Sequence, residues 1–517
     1  MTFVKTLESQ DISSSPKEHY IGLLPPQETR YKNFIQFVFG QPILYRFLFI
    51  LLLVVQIAVF KIFYPFPDFF SDSYSYIEVA INHDIVNLWP VGYSWFLRFV
   101  HVFSHSSTVL VLFQFALLEL AALYLYKTIF WFYPGSSYAR NILFVLFFFN
   151  PVNLYFANYV SSESLFLTLS LLWITELIWI INKPSKGHAI FLSVIFFIAF
   201  TVRYNALIYP IITAIAFILS KQKLGDKILG ITLGPIFTIP FILIVATEAK
   251  RITGEAQFPP IYGGWQWANN ALYIREYISE DTTKFPSKQM AELDSIARSY
   301  FLHVPPERRE LVFYVGNFFV KQWDAPLKIY MLKEYKTSGM NSWAKVSPLF
   351  DQYGKYIIKR HPYAFFKHYL LVNSLNYIYP PLEKLELYNI GMDEMWYPAI
   401  IWFDYHSKDV KVVSKTLQGY LLFWLPGFFL LLNLYNIWLL ISFVRKGGLK
   451  SLYRSFNKLV MVLAVFLFLN CIFSIYANII CMRYQIFPLV IQFILALLLT
   501  DYLELYANKL KLSKTKD

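Results

Sequence analysis

Residues 43–64 read ILYRFLFILLLVVQIAVFKIFY, and the chain continues at once with PFPDFFSDSYSY over residues 65–76. A hydrocarbon core about 30 Å thick is crossed by a helix of roughly 20 mainly apolar residues. The first stretch therefore predicts a membrane-spanning helix that starts the fold. The two acids of the second stretch, Asp68 and Asp72, follow where this helix leaves the membrane.

The composition extends this interpretation to the whole chain. Of its 517 residues, 57% are hydrophobic and 20% aromatic, whereas only 15% are charged. Soluble domains carry about 25% charged residues, so the chain belongs to the polytopic membrane proteins. The formal net charge is +13, but Lys and Arg are dispersed through short connections instead of forming one patch. We therefore expect membrane lipids and no nucleic acid as partners.

The fold class predicted from these runs is an all-α polytopic membrane protein with about ten transmembrane helices. The apolar runs cover residues 43–64, 107–132, 141–157, 160–182, 187–202, 204–220, 228–247, 418–443, 457–477 and 481–503. The stretch 187–220 is assigned to two helices because about 34 residues at 1.5 Å each would be too long for one crossing. Arg203 then lies at a tight hairpin between them.

Lys and Arg alternate along the connections, and this alternation predicts the orientation. Every second connection is basic, which places these connections and both termini in the cytoplasm. The predicted division is a cytoplasmic segment 1–42, a transmembrane module 43–247 with a first loop at 65–106, a large loop domain 248–417, C-terminal transmembrane helices 418–503 and a cytoplasmic tail 504–517. The first loop and the large loop domain would then face outward. The part 65–89 fits this side, since it contains acids but no Lys or Arg.

Helices are also predicted outside the membrane core. In the first loop, Ser73–Ile81 and the mixed segment Pro90–Ser104 are typical of helices lying at the interface. In the large loop domain, helical periodicity predicts Gln289–Leu302, Arg308–Trp323 and Asp351–Tyr377. The large loop domain should therefore be mainly helical.

Ionisable residues collect at the outward ends of the apolar runs. They are Asp68, Asp72, Glu163, Arg203, Arg483 and, more weakly, Glu78. Because a bilayer accommodates each ionised group only at a cost of several kcal/mol, clustering at one face indicates a site. The chain has no Walker loop, dinucleotide fingerprint, HExxH pair or GxSxG elbow, so nucleotide, serine and zinc hydrolysis have no support in the sequence.

Five short motifs surround these ionisable residues in a characteristic order. They are Pro67-Asp68-Phe69-Phe70-Ser71-Asp72-Ser73-Tyr74-Ser75-Tyr76, Trp89-Pro90-Val91-Gly92-Tyr93, Asn150-Pro151 with Ser162-Glu163-Ser164-Leu165-Phe166, Val202-Arg203-Tyr204-Asn205, and Met482-Arg483-Tyr484-Gln485. Together they resemble the GT-C superfamily of integral-membrane glycosyltransferases, among them protein mannosyltransferases and aminoarabinose transferases. One departure is that many relatives place two acids side by side, whereas three residues separate Asp68 from Asp72 here.

The resemblance implies transfer of a sugar from a polyprenyl-phosphate donor to a glycan, lipid or protein acceptor, with inversion, at the periplasmic side of a bacterial inner membrane. Such a reaction needs a base for the acceptor and stabilisation of the leaving phosphate. The predicted site consists of Asp72 as first candidate base, Asp68 as the competing one, and Glu163, Arg203, Tyr204, Arg483, Tyr484 and Tyr76 as substrate-binding residues. The guanidinium groups suit the phosphate because they stay charged and donate in pairs.

Other roles for the same residues stay open at this point. Glu163 could hold a divalent cation together with one Asp, and metal dependence is left undecided. Asp68, Asp84 and Glu78 are alternatively solvated loop acids. Glu163 could merely complement a helix dipole, and the two Arg residues could extend to lipid headgroups. Trp265 and Trp267 are either an interfacial belt or a platform for a sugar ring.

Two other functions compete with sugar transfer. A lipid or glycan transporter or flippase would use the charged cluster for recognition, although the paired repeats common in transporters are not evident in this sequence. A glycan polymerase would share the outer Arg residues and the large loop but would leave the early acidic motif unexplained.

Overall fold

The computed structural model describes residues 31–448 and 455–514 of the chain. Within these ranges the protein is 77% helical and has no β-strand. Apolar sequence folds this way because a backbone in hydrocarbon must satisfy its hydrogen bonds within its own segment. The predicted all-α polytopic membrane fold is confirmed at this level.

Eight helices of the described ranges are long and apolar enough to cross a membrane. They are Ile43–Phe63, Ser107–Phe132, Ser137–Asn158, Ser162–Asn182, Leu224–Thr253, Leu417–Arg445, Ser455–Ala477 and Met482–Asn508. Each coincides with one of the predicted runs. The third is interrupted at Phe149 and Asn150, and Pro151 opens its second part, Pro151–Asn158.

Two shorter apolar helices, Lys186–Val202 and Tyr204–Leu219, occupy the runs predicted at 187–202 and 204–220. Arg203 lies between them in extended conformation, with φ −151° and ψ 132°. Both helices fall short of the roughly 20 residues that a straight crossing needs. The total of about ten transmembrane helices therefore stays a prediction.

The helix Ser162–Asn182 is the centre of the molecule. Of its apolar window, 89% is buried inside the protein, and it packs against Ser107–Phe132 and Lys186–Val202. Its first turn contains Glu163. The fold thus places one acid of the sequence-predicted site at the N-terminus of the most enclosed helix.

The first loop contains two helices, Ser71–Asn82 and Gly92–His101, at the positions predicted for interfacial helices. They pack on each other, and the first also contacts the short helix Tyr397–Trp402 of the large loop domain. Asp68 precedes the first helix, whereas Asp72 lies in its first turn. The two acids therefore do not share a helical face.

The large loop domain is mainly helical. Its α-helices begin and end at Tyr262–Arg275, Lys288–His303, Pro306–Glu310, Phe318–Lys321, Pro326–Tyr335, Met340–Arg360, Pro362–Phe365, Leu371–Ile378 and Tyr397–Trp402. The first packs along Met340–Arg360, and Gly264 and Gly354 allow the close approach. A Cβ atom on either glycine would lie within 2.2 Å of the facing backbone.

Two helix predictions for this domain are wrong as continuous elements, whereas Lys288–His303 confirms the third. The predicted helix Arg308–Trp323 is broken at Asn317, whose φ of 55° is left-handed. The predicted helix Asp351–Tyr377 ends at Arg360, and His361 leaves the helical region at ψ 54°. Pro362 explains the second break because it disfavours helical conformation in the residue before it.

Candidate functional site

A cavity of about 390 Å³ lies where the first loop, the N-terminus of the central helix and the large loop domain meet. Six of the eight sequence-predicted site residues line it: Asp72, Tyr76, Glu163, Arg203, Tyr204 and Tyr484. Arg483 lies directly behind this wall and contacts two of them. Asp68 is not among the lining residues, and Glu78 is exposed on another face of its helix.

Glu163 joins the two arginines. Its Oε1 atom lies 3.1 Å from Arg203 Nη1 and 3.2 Å from Arg483 Nη1. The side chains of Glu163 and Arg483 are each only 2% exposed, so Arg483 does not extend to headgroups. The second oxygen, Oε2, is buried and accepts no hydrogen bond from any described residue. Glu163 is thus a bridging carboxylate as well as a helix N-terminal acid.

Three tyrosines surround the arginine pair. Arg483 Nη2 donates to the Tyr484 hydroxyl at 2.7 Å, and the Arg203 guanidinium lies 5.2 Å from the centre of the same ring. The Tyr76 hydroxyl donates to Ser162 Oγ at 3.1 Å, next to Glu163. Tyr204 packs its ring edge-on to Phe258 at 5.0 Å. The structure therefore brings all three predicted tyrosines to the cavity wall.

Asp72 has the most distant ionic partner among the carboxylates of this cluster. Its Oδ2 atom lies 3.7 Å from Arg483 Nη1, and its side chain is 13% exposed. Burial raises the pKa of this carboxyl, and Arg483 and Lys321 offset only part of that shift. A carboxylate that faces a cavity, has an elevated pKa and lacks a close ion pair can accept a proton from a bound ligand.

Asp68 has the opposite environment. It is fully buried, and Lys384 Nζ donates to both carboxylate oxygens at 2.8 and 2.7 Å. The backbone N–H of Asn389 adds a third bond to Oδ1 at 3.0 Å. Burial raises the pKa of Asp68 to about 6, although Lys384 acts against this. The interpretation of Asp68 as a solvated loop acid is therefore wrong.

The turn Glu383–Leu385 of the large loop domain supplies charges that the sequence analysis missed. Glu383 Oε1 accepts a hydrogen bond from Lys321 Nζ at 2.6 Å. Its Oε2 atom lies 3.0 Å from Arg483 Nε, at an angle that permits an ion pair but no hydrogen bond. Burial acts to raise the pKa of Glu383, but Arg483 and Lys321 together lower it to about 2. Glu383 is therefore a permanent anion behind the site.

No periodic pattern or motif marks this turn in the sequence. The one local feature is the neighbouring pair Pro380-Pro381, which indicates a chain reversal but no partner. Glu383 has a left-handed φ of 52°. Such backbone strain is tolerated where the surrounding contacts hold a residue in place. Only the folded structure shows that this strained turn contacts both Asp68 and Arg483.

One part of the cavity wall carries no charge. It includes Gln266, Trp267 and Asn270 of the helix Tyr262–Arg275, together with Asn317. Trp265, the neighbour of Trp267, is fully buried and stacks on Trp343 at 4.2 Å between ring centres. Trp265 is therefore neither an interfacial belt residue nor a sugar platform, whereas Trp267 remains in position for the second role.

The acids of the site do not fit a resident divalent cation. Among the described residues, no group of three or more His, Cys, Asp and Glu side chains is placed to hold a metal ion. Glu163 together with one Asp is the candidate for this role. Glu163 and Asp72 both face the Arg483 guanidinium, and both oxygens of Asp68 accept from Lys384. A cation between Glu163 and Asp72 would have to displace a buried arginine that is already paired.

Comparison with known proteins assigns no function to this site. The chain matches no protein-family model, no curated protein and no solved structure. The function must therefore be argued from the residues of the site.

Proposed function

We propose that this protein is a membrane glycosyltransferase of GT-C type that moves a sugar from a polyprenyl-phosphate donor to an acceptor. One observation carries the proposal. Two guanidinium groups converge within 3.2 Å of one buried carboxylate, Glu163, beside a second carboxylate, Asp72, that faces a cavity. This arrangement combines a binding site for an anion with a base.

Arg203, which lines the cavity, would receive the phosphate, and Arg483, directly behind the wall, would add a second positive charge. A donor phosphodiester gains a further negative charge when its bond to the anomeric carbon breaks, and two fixed guanidinium groups stabilise that charge as it develops. Glu163 would act as a positioning residue because it holds both groups in one orientation. Tyr484 contacts both arginines and would keep their planes aligned.

Asp72 would act on the acceptor. Its carboxylate takes the proton of an acceptor hydroxyl or amine while the acceptor atom forms a bond to the anomeric carbon. The bond between that carbon and the phosphate oxygen breaks on the opposite face, so the configuration inverts. Asp68 would not take part in proton transfer, since Lys384 occupies both of its oxygens.

The location follows from the charge distribution of the connections. The positive-inside rule places the first loop and the large loop domain outside the cytoplasm, so the cavity would face the periplasm of a bacterial inner membrane. The donor would enter from the bilayer, since the cavity lies at helix ends. The acceptor would be a glycan, a lipid or a protein.

The test uses the full-length protein in nanodiscs with a panel of radiolabelled polyprenyl-phosphate sugars and a membrane extract as acceptor source. Release of polyprenyl phosphate is compared between wild type, Asp72→Asn and Glu78→Gln. Glu78 is the matched control because it is an exposed acid on the same helix. Cleavage of one donor by wild type and Glu78→Gln, but not by Asp72→Asn, would support the proposal.

Two outcomes would contradict it. Binding of a lipid-linked sugar without cleavage by any variant would favour a lipid or glycan transporter. A protein that elongates a lipid-linked glycan but cleaves none of the polyprenyl-phosphate monosaccharides would favour a polymerase.

A further inference from the structure

The two walls of the cavity differ in chemistry. On the side of the central helix, the lining residues Asp72, Glu163 and Arg203 carry charge. The lining contributed by residues 259–270, 317 and 473–480 contains no ionisable Asp, Glu, Lys, Arg or His side chain. A ligand that fills the cavity therefore meets charged side chains on one part of the lining and uncharged polar side chains on another.

Four amide side chains belong to the polar part of the neutral wall, and three of them, Gln266, Asn270 and Asn317, are candidate ligand contacts. Gln266 and Asn270 are four residues apart on one helix and so share a face. Gln266 Nε2 donates to Asn270 Oδ1 at 2.7 Å, and Asn270 Nδ2 donates to the Ala477 carbonyl at 3.2 Å. Asn317 Nδ2 donates to the Tyr262 hydroxyl at 2.5 Å. Each of the three amide nitrogens thus donates to at least one protein acceptor.

Two of the three amide oxygens lack a protein donor, whereas Asn270 Oδ1 accepts from Gln266. Gln266 Oε1 and Asn317 Oδ1 are buried, and no described residue donates a hydrogen bond to either. Asn317 is only 1% exposed. Buried acceptors without donors cost free energy, and a ligand that brings O–H groups would remove that cost.

Aromatic rings and a small volume also characterise the cavity. Trp267, Tyr262 and Tyr476 line the same wall and provide apolar surface for C–H groups. Small-molecule sites range from about 300 to 1,000 Å³, so 390 Å³ lies at the lower end and suits one sugar unit with its phosphate. Lys355 lies 5.6 Å from the centre of the Trp267 ring, but Asp351 pairs with it at 2.7 Å.

We infer that the wall formed by Gln266, Asn270, Asn317 and Trp267 is a glycosyl subsite that selects a single uncharged, polyhydroxylated sugar. This inference rests on the proposed function and narrows its donor class. Sugar hydroxyls would donate to the free amide oxygens. A uronosyl group would place its carboxylate against these amide oxygens, and the neutral wall offers no cation to pair with it. An aminohexosyl group would place its ammonium where the neutral wall offers no carboxylate. Both charges would be buried without a partner, which costs free energy.

Binding tests the subsite independently of turnover. The full-length protein in nanodiscs is titrated with four short-chain prenyl phosphates, which carry a neutral hexosyl group, a uronosyl group, an aminohexosyl group or no sugar. We expect the hexosyl compound to bind at least about tenfold more tightly than the sugar-free and uronosyl compounds. Gln266→Leu and Asn317→Gly should each reduce that preference about threefold to tenfold and leave the affinity for sugar-free prenyl phosphate unchanged.

Matched variants separate recognition from folding. Glycine tolerates the left-handed backbone conformation at position 317, so Asn317→Gly removes the amide without straining the backbone. Gln352→Leu, on the exposed face of Met340–Arg360, is the control and should change nothing. Gln266→Glu should shift the preference from the neutral hexosyl to the aminohexosyl compound, which a purely structural role of Gln266 would not do.

Two results would overturn the inference. One is uronosyl binding as tight as hexosyl binding in wild type. The other is an equal loss of affinity for hexosyl and sugar-free compounds in Gln266→Leu and Asn317→Gly. If the protein prefers the hexosyl compound but cleaves no donor, the result would contradict the proposed transfer reaction. The glycosyl subsite would still be supported.

Discussion

Asp68 and Asp72 lie in one loop with three residues between them, and the fold gives them opposite surroundings. Asp68 is fully buried and has two bonds from Lys384 within 2.8 Å. Asp72 faces the cavity, and its cation, Arg483, is 3.7 Å away. The comparison shows that the partner, more than the residue type, decides whether a buried acid holds the structure together or is available for chemistry.

The cause of the difference lies in the local backbone. Asp68 is in extended chain, where its N–H donates to the Asn158 carbonyl at 2.9 Å and its carbonyl accepts from the Val160 N–H at 3.1 Å. Asp72 lies in the first turn of the helix Ser71–Asn82. The change from extended chain to helix turns the second carboxylate toward Arg483 and leaves the first facing the turn Glu383–Leu385.

The largest expected effect separates the two acids by activity. Asp72→Asn should lower turnover about 10²- to 10⁴-fold, the usual contribution of a general base, with little change in thermal stability. Asp68→Asn should act mainly on stability, with turnover per folded molecule retained. Measuring donor cleavage beside thermal unfolding of each variant checks this, and the reverse pattern would exchange the two roles.

The next effect concerns the pair that holds Asp68. Lys384→Met leaves a buried carboxylate without its cation and should lower the free energy of unfolding by about 3–5 kcal/mol. Denaturant titration would measure the loss, with the exposed Lys411→Met as control. The double variant Asp68→Asn with Lys384→Met should recover about 2–3 kcal/mol because the uncompensated charge is gone. A double variant no better than Lys384→Met would refute the pairing.

A smaller effect is expected at Glu383, the anion behind Arg483. Without ligand, three carboxylates (Asp72, Glu163 and Glu383) balance three cations (Arg203, Arg483 and Lys321). Glu383→Gln removes one negative charge, so sugar-free prenyl phosphate should bind about tenfold more tightly. Equilibrium binding in nanodiscs provides the readout. Weaker binding would mean that Glu383 is needed to orient Arg483.

The smallest effect is on the pH profile. Burial raises the pKa of Asp72, and a base must be deprotonated to act, so turnover should fall as the pH drops through that raised pKa. The acid limb of kcat/KM for wild type should therefore have its midpoint above about 4, the ordinary carboxyl range. A profile that stays flat down to that range would argue against Asp72 as the base.

The site residues that the sequence predicted differ from those that it did not in how strongly they stand out from their neighbours. Glu163, Arg203 and Arg483 stand at the ends of apolar runs, where an ionised group is conspicuous. Lys321, Glu383, Gln266 and Asn317 belong to the large loop domain, where charged and polar residues are common and signal nothing. The break at His361-Pro362 was readable from the proline alone, whereas the left-handed residue at Asn317 was not.

The apolar runs were enough to predict an all-α membrane protein, because segments of this length satisfy their backbone hydrogen bonds in hydrocarbon as helices. The sequence also determined which charged residues stand at the helix ends. The pairing of Lys384 with Asp68, the hold of Glu163 and Glu383 on Arg483, and the orientation of Asp72 toward the cavity became visible in the folded structure alone. The first two depend on contacts between residues one hundred or more positions apart, which no local pattern encodes.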